Sequence, residues 1–351
     1  MAVSSRFVAI VLVVVLAGAS ALAVLGSTEE DSRTPPRSAE PSQATGALYL
    51  SHDRLKRLDL DTGEVRAIGR TPTTDLHASV SSPWIAYVVS DDGAEGEEDF
   101  LAEPELRTIN LETEATTEVG PGFRPLWHPT ASRFAYLRPL EGRRCSGDGC
   151  RGLLEVVVHD ADTQATNVLT EPGRFNPLAW SGSRLLVADE SDLSATLSLG
   201  MGKDVERLDI EPSELWGASP DGRWLLRSVA GDATLMDLES GAQRHWDISN
   251  GELADGTWSP DSKQIVAAVL NEARTRTRAV LIGVPGGDVR EVTSELPGII
   301  DITWDRNARR FGFLTFFGRS NRTELNVCSS EDGRCETVGE SLRRAVLLRF
   351  E

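Results

Sequence analysis

Charged side chains recur about three residues before a tryptophan, and their spacing is the feature of this sequence that could support chemistry. Asp255 precedes Trp258, and Asp301 precedes Trp304, at this offset. Carboxylates that converge at one place can bind a metal ion or exchange protons with a substrate. The alternative interpretation is that these residues are solvated strand ends in an acidic chain. The candidates at this or a comparable position are Asp75, Arg124, Glu214, Asp255 and Asp301.

No other motif adds to this candidate set. The sequence contains neither a Gly-x-Ser-x-Gly nucleophile motif nor a Walker loop. Its histidines lie far apart, without the spacing of a metal site, and His128 is expected in an exposed turn. The sequence therefore predicts no catalytic residue, no metal site and no cofactor. The five histidines are His52, His77, His128, His159 and His245.

An acidic stretch at residues 91–99 reads Asp-Asp-Gly-Ala-Glu-Gly-Glu-Glu-Asp. Carboxylates are hard ligands that can attract calcium, but the stretch lacks the order of ligands in an EF-hand. A solvated hairpin loop is the favoured interpretation.

The four cysteines form two local pairs. Cys145 and Cys150 bracket Ser-Gly-Asp-Gly, and Cys328 and Cys335 bracket a second turn-forming segment. Neither pair has the C-x₂₋₄-C spacing with nearby histidine that favours zinc. Disulfides in an oxidising compartment are the favoured prediction, and four cysteines allow three connectivities. Pairing within each local segment is the simplest of them.

The formal net charge of −18 limits the classes of partner. Nucleic-acid binding depends on neutralising phosphates, and anionic lipid headgroups likewise attract basic surfaces. An acidic surface favours solubility and a basic partner.

Residues Phe7 to Leu25 are an unbroken run of apolar and small residues, long enough to span a bilayer as a helix. Arg6 precedes the run and acidic residues 29–31 follow it, which predicts a cytoplasmic N-terminus and an extracytoplasmic remainder. Two interpretations remain: an uncleaved signal anchor, which the length of the run favours, and a signal peptide cleaved near residues 19–23. The expected location is a single-pass membrane protein, or a secreted protein after cleavage.

Three regions follow from this pattern. Residues 1–26 are the signal anchor or signal peptide. Residues 27–46 are polar and rich in proline, and they are predicted to be a disordered linker because they cannot bury enough apolar surface to fold. Residues 47–351 form the predicted folded domain.

A tryptophan-centred unit repeats through this domain every forty to fifty residues, a period typical of propeller blades. Its clearest copy is Trp258-Ser-Pro-Asp-Ser-Lys-Gln-Ile-Val-Ala. Each copy predicts a strand, a tight Ser-Pro-Asp turn and a second strand. Further copies begin at Val80, Trp127, Trp180, Ala218 and Trp304.

A second hairpin follows within each unit, as in Met236-Asp-Leu-Glu-Ser-Gly-Ala-Gln. Two hairpins give four strands, which is one propeller blade. No segment after residue 26 has a helical period, so the domain is predicted to be all-β.

The Trp-Ser-Pro-Asp-Gly-Lys/Arg unit resembles the repeat of TolB-like, or WD40-like (PD40-type), β-propellers. The resemblance covers roughly residues 47–351, but the true WD40 signature is not repeated. It implies the fold and not an activity, because propellers have many functions. TolB-like relatives act in complexes of the cell envelope, and propellers often bind ligands or metals in the central channel.

Six units can be placed between residues 74 and 339, and the unit at 174–210 is weak. Residues 47–70 hold three strands without a first one, and residues 341–351 hold one strand without a blade. These two fragments complete each other, so the sequence predicts seven four-stranded blades, with the C-terminal strand closing the ring. Six or eight blades are the alternatives, and a monomer is expected.

Two functions fit this description. One is a non-catalytic scaffold in the cell envelope that binds a protein, peptide or other ligand. The alternative is a metal-dependent, lactonase-like hydrolase that uses acidic residues at the channel mouth. A sensor role is less favoured, because only about six residues precede the apolar run and any signal would need a second membrane protein.

Overall fold

The computed structural model describes residues 46–350 with internal gaps. The gaps are residues 52–53, 60–61, 63, 71–75, 90–99, 102–103, 141–144, 147–148, 151–152, 193–194, 214, 230–231, 247, 249–250, 318–321 and 344. The predicted anchor at Phe7–Leu25 and the predicted linker lie outside the described residues. No helix in the described part of the chain is long and apolar enough to cross a membrane.

The described part of the chain begins with three strands and continues with six blades, each an antiparallel sheet of four strands from one continuous stretch of chain. The first three strands are β1 (Gly46–Ser51), β2 (Arg54–Asp59) and β3 (Val65–Arg70). Blade 1 consists of β4 (Leu76–Ala78), β5 (Trp84–Val89), β7 (Glu105–Asn110) and β8 (Thr116–Pro121), with β6 (Phe100–Leu101) inserted after β5. Blade 2 consists of β9 (Phe123–Trp127), β10 (Arg133–Pro139), β13 (Leu154–Asp160) and β14 (Thr166–Val168), with β11 (Cys145–Ser146) and β12 (Gly149–Cys150) inserted after β10.

The remaining blades have no inserted strands. Blade 3 consists of β15 (Phe175–Ser181), β16 (Arg184–Asp189), β17 (Thr196–Leu199) and β18 (Val205–Leu208). Blade 4 consists of β19 (Leu215–Ala218), β20 (Trp224–Val229), β21 (Asp232–Asp237) and β22 (Gln243–Trp246). Blade 5 consists of β23 (Glu252–Trp258), β24 (Gln264–Leu270), β25 (Thr277–Gly283) and β26 (Val289–Glu291). Blade 6 consists of β27 (Ile299–Trp304), β28 (Arg310–Phe317), β29 (Arg322–Ser329) and β30 (Cys335–Arg343).

The last strand, β31 (Ala345–Phe350), returns to the start of the chain and pairs antiparallel with β1. It completes a four-stranded sheet in the order β3-β2-β1-β31, which we call the closing sheet. The sequence predicts seven blades; six are continuous, and this composite sheet stands where the seventh is predicted. The innermost strands contact one another in the closed series β4, β9, β15, β19, β23, β27, β31 and back to β4. The architecture is therefore an all-β propeller.

The recurring turn explains why each inner strand folds back into a hairpin. In blade 4, Ser219 Oγ accepts a hydrogen bond from the backbone N–H of Trp224 (2.8 Å) and donates one to Asp221 Oδ1 (2.6 Å). Blade 5 repeats the pattern with Ser259 and Asp261 (2.8 Å). These side chains satisfy backbone donors inside the turn, which is why Ser-Pro-Asp recurs at this place.

The hydrophobic core lies between the sheets and not within any one of them. Along β24, Ile265, Ala267 and Val269 pack against blade 4, whereas Val266 and Ala268 pack against blade 6. Both faces of a middle strand are therefore buried, which explains why these strands read as continuous apolar runs in the sequence.

The tryptophans of the repeat join adjacent blades by a hydrogen bond as well as by packing. Trp127 Nε1 donates to the carbonyl of His77 in blade 1 (2.8 Å), and Trp180 Nε1 donates to that of Leu126 in blade 2 (2.9 Å). Trp304 Nε1 donates to the Thr257 carbonyl in blade 5 (3.1 Å). In each pair the acceptor is the carbonyl of the next-to-last residue in the inner strand of the previous blade. Buried indole N–H groups generally require such a partner.

Replacement of Trp127 by Phe should therefore destabilise the protein more than the same replacement of Trp258. Both indoles are 8% exposed, but Trp258 Nε1 has no hydrogen-bond acceptor among the described residues. Loss of the indole hydrogen bond to the His77 carbonyl should cost about 1–2 kcal/mol. Thermal unfolding of the two variants measures the difference, and equal melting temperatures would contradict a bonding role for the indole.

The turns between the first and second strands of adjacent blades also contact each other. They lie at the end of the propeller where the inner strands finish. The prediction that His128 lies in an exposed turn is wrong, because its side chain is 5% exposed. Its Nε2 lies 2.8 Å from the Gly182 carbonyl of blade 3, and its Nδ1 accepts from the Thr130 N–H (3.2 Å). Burial, and then the charge of Arg133, lower the pKa of His128 from 6.5 to about 4.

This shift predicts a specific pH dependence of stability. Between pH 4 and 6.5 the unfolded chain binds a proton at His128 that the folded chain does not bind, so stability rises with pH across this window. The free energy of unfolding of the native chain, minus that of His128→Ser, should increase by roughly 3 kcal/mol from pH 4 to pH 6.5. Denaturant titrations at several pH values measure it. Parallel profiles for the two proteins would contradict the assignment.

The closing sheet predicts that the C-terminal strand stabilises the whole ring. Deletion of residues 345–351 removes the pairing of β31 with β1 and exposes the edge of β1. The loss should be on the order of several kcal/mol and lower the melting temperature by about 10 °C or more. Addition of a peptide of residues 341–351 in trans should recover part of this loss. An unchanged melting temperature after deletion would contradict closure.

The cysteine predictions have different outcomes. Cys328 and Cys335 form a disulfide across the directly paired positions of β29 and β30, which confirms the prediction for this pair. Cys145 and Cys150 are backbone partners across the β11–β12 hairpin. Their side chains lie outside what the structure describes.

Candidate functional site at the channel mouth

The inner strands all begin at one end of the propeller, which we call the loop face. The connections between blades and the loops after the second strand of each blade lie at this end. The opposite end, the turn face, carries the Ser-Pro-Asp turns and the turns before each outer strand. Arg124, Asp255 and Asp301 lie in the inner strands β9, β23 and β27, before the residue that ends each strand. Their position at the mouth of the channel on the loop face stays a prediction.

A β-bulge interrupts the inner strand at a similar place in blades 2 to 6. The pairing shifts register two to four residues before the motif position in these strands. Arg124 and Asp301 have positive φ angles of 53° and 56° at this point. Positive φ is unfavourable for residues other than glycine, and bulges redirect side chains locally. The bulge therefore sets the direction of the candidate side chains.

Asp255 is the candidate that best fits a channel-lining acid. Its side chain is exposed to solvent, although protein surrounds it on most sides. Its Oδ1 accepts a hydrogen bond from the Gly256 N–H (2.8 Å). Burial raises the pKa of Asp255 above 3.8, and the Gly256 hydrogen bond offsets only part of that effect. An acid that is enclosed yet reachable by water suits the wall of a channel.

Asp301 and Arg124 differ from Asp255 in their environment. Asp301 is buried, with 5% of its surface exposed, so it does not present an open carboxylate at the mouth. Arg124 is exposed, and its Nη1 donates to Asn176 Oδ1 of blade 3 (2.9 Å). Asp75 and Glu214 lie outside the described residues. Across the described part of the chain, no three His, Cys, Asp or Glu side chains converge as a metal site would require.

Two insertions meet on the loop face and form a small sheet outside the blades. Strand β6 of the blade 1 insertion pairs antiparallel with β11, and β11 pairs with β12 of the same blade 2 insertion. We call these three strands the accessory sheet. The acidic loop and the first cysteine pair, which the sequence treats as separate features, thus belong to neighbouring insertions.

Sequence reasoning missed a set of side chains that fasten the outer rim of the ring. The second residue of an outer strand reaches the outer turn of the next blade. Arg244 Nη1 donates to the Pro285 carbonyl (2.7 Å), and Arg290 donates to the carbonyls of Ser330 and Glu331 (2.7 and 2.6 Å). We call this contact the rim clasp.

The rim clasp recurs elsewhere around the ring. Asn167 donates to the Met201 carbonyl (3.1 Å), and Arg66 pairs with the Glu114 carboxylate (2.6 Å). The sequence does carry a signal for the arginine clasps, because each arginine stands three residues after a turn glycine. This spacing alone does not show which group the arginine binds, because that group belongs to the neighbouring blade.

Comparison with solved structures identifies similar folds at low sequence identity. A prolyl endopeptidase is 14% identical, with 85% of this chain and 50% of that chain covered and a TM-score of 0.60. A putative 6-phosphogluconolactonase from Bacteroides uniformis ATCC 8492 is 14% identical, with 88% and 99% covered and a TM-score of 0.54. TolB from Acinetobacter baumannii is 15% identical, with 87% and 67% covered and a TM-score of 0.48.

No protein-family model and no curated protein sequence matches the chain. The chain spans half the length of the prolyl endopeptidase that it resembles. At these identities a likeness in structure speaks to the fold and not to the activity. The comparisons and the geometry together show that the chain has the fold of the β-propellers, as its resemblance to TolB-like repeats implies.

Proposed function

We propose that this protein is a non-catalytic binding scaffold that presents the loop face of its propeller to a protein or peptide partner in the cell envelope. The accessory sheet is the observation that carries the proposal. Two neighbouring blades extend insertions that pair with each other outside the ring. The strands of the accessory sheet are not part of the closed series of inner strands. They therefore extend the surface of the loop face and do not help to close the ring.

The charge of the chain favours a basic partner. The net charge of −18 supports attraction of cationic surfaces and opposes contact with nucleic acid. Hydrogen bonds join adjacent blades at the turn face and at the rim. They favour a rigid surface that can bind a partner without reorganisation of the ring.

The proposed setting is extracytoplasmic. Its support is the sequence of Phe7–Leu25 with its flanking charges, together with the disulfide between Cys328 and Cys335. The anchor would hold the propeller at the membrane through the polar segment 27–46. We further infer that the closing sheet acts as the seventh blade, since β31 contacts both β27 and β4.

A metal-dependent hydrolase is the second candidate, and Asp255 is the observation that favours it. An enclosed acid with a raised pKa at a channel mouth is a frequent feature of functional sites. The fold neighbour from Bacteroides uniformis is described as a putative lactonase. This candidate requires further ligands beside Asp255 and Asp301.

Metal analysis of the purified protein distinguishes the two candidates. After incubation with zinc, calcium or magnesium and removal of free metal, the scaffold should retain no stoichiometric metal. It should still form a saturable cross-linked complex with an envelope protein. A hydrolase should retain metal that is lost in Asp255→Asn and Asp301→Asn but kept in Glu171→Gln, an exposed acid on the same face. That second pattern would overturn the scaffold proposal.

A further inference from the structure

The inner strands of blades 4 and 5 contact each other, and a tryptophan outside the motif position lies between them. Trp216 stands two residues before Ala218, which occupies the motif position of blade 4. Its indole is half-buried and packs against the hydrophobic cluster between these two blades. The inner strands of blades 2, 3, 5 and 6 have no aromatic side chain at this position, so Trp216 is not a feature of the repeat. Their residues there are Pro125, Leu178, Gly256 and Ile302.

Gly256 of blade 5 provides the space that this indole occupies. A Cβ added at Gly256 would lie 2.8 Å from Cζ2 of Trp216 and closer still to Cη2. Only glycine permits an approach of this kind, because it has no side chain. The six-membered ring of the indole therefore covers the backbone of β23 at the residue that follows Asp255.

Asp255 has no cationic partner among the described residues. Its Oδ1 accepts a hydrogen bond from the Gly256 N–H (2.8 Å), which holds the carboxylate beside the residue that the indole covers. Its Oδ2 has no described hydrogen bond. Burial raises the pKa of Asp255, and no neighbouring charge contributes to the shift. An enclosed carboxylate and an aromatic ring therefore lie side by side without a counter-charge.

We propose that Asp255 and Trp216 bind the ammonium group of a lysine side chain that the partner presents. The inference rests on the proposed scaffold function and names the chemistry of its partner. A cation is attracted both to the face of an indole and to a carboxylate. Surroundings that exclude part of the water strengthen both attractions. The apolar stem of the lysine can lie against the half-buried ring.

The hydrogen bonding of Asp255 favours lysine over arginine. A guanidinium binds a carboxylate best through two parallel hydrogen bonds, which require both oxygens. Oδ1 already accepts from Gly256, so Oδ2 is left for a contact at a single point, which suits a compact ammonium group. A metal ion fits less well, because it requires several ligands and the described residues bring no three such side chains together.

The connection that leads into β19 should attract a cation toward this site. Residues 209–214 include three acids and no basic residue, and Asp209 and Glu211 are exposed. Acids of this kind raise the local concentration of cations, and salt screens the effect. The binding of one isolated lysine should therefore be weak and should weaken further with ionic strength.

A lysine analogue tests the proposal on the full chain. The probe is Nα-acetyl-lysine methylamide, and the control is the norleucine analogue, which has the same four-carbon stem without the ammonium group. The chain has eight tryptophans, and Trp216→Phe identifies the indole N–H signal of Trp216 in NMR spectra. That signal should shift saturably with millimolar lysine probe and roughly fivefold less with the control. Trp84 is also half-buried, but its Nε1 already donates to Asp162 (2.8 Å), so its signal should not shift.

A variant of the carboxylate gives an independent result. Asp255→Asn keeps the shape of the side chain and removes its charge, so it should weaken binding of the lysine probe by roughly tenfold. Its melting temperature should not fall, because no ion pair is lost. Glu171→Gln, which removes an exposed acid from the same face, should bind the probe as the native chain does.

Equal shifts with the lysine and norleucine analogues, or shifts at Trp84 of the same size, would overturn the proposal. Unchanged affinity in Asp255→Asn would overturn it too, and equal binding of the arginine analogue would overturn the choice of lysine. An envelope partner captured equally by the native chain and by Asp255→Asn would also contradict this site, while leaving the scaffold function intact.

Discussion

The packing of one sheet against the next is the interaction on which the structure depends. A single blade has apolar side chains on both faces, as alternate residues of β24 show, so no blade can bury its own core. Both faces of a blade are buried only when another blade packs on each side, and only a closed ring gives every blade two such neighbours. The chain therefore has to bring its two ends together, and the pairing of β31 with β1 does this. The same constraint turns the centre of the ring into a channel lined by the inner strands.

Much of this arrangement could be predicted from the sequence because it depends on local chemistry. Ser-Pro-Asp turns satisfy their own backbone donors, and Ser219 and Asp221 do so within six residues. The incomplete first unit and the isolated last strand predicted the closing sheet, because strands seldom leave both edges open. Turns and edges can be recognised without any knowledge of what packs against them.

The properties that depend on a neighbouring blade could not be predicted in the same way. His128 replaces a turn serine, which predicts exposure, but the turn of blade 3 covers it and Gly182 accepts from its ring. Asp255 and Asp301 share the same offset from tryptophan, yet the side chain of Asp255 is exposed and that of Asp301 is buried. The bulge in each inner strand decides between these outcomes. Register and bulge position depend on pairing in three dimensions, and offset along the chain does not determine them.

The interface between blades 3 and 4 shows how the ring tolerates a missing tryptophan. A Cβ added at Gly222 would lie 2.6 Å from the Gly182 backbone nitrogen, so the two turns approach as closely as glycine permits. Gly222 also has a φ of 79°, which favours glycine at this position. Ser181 donates to the Gly222 carbonyl (3.2 Å) across the same contact. The contact at the turn face therefore joins these two blades although no indole crosses between them at Ala218.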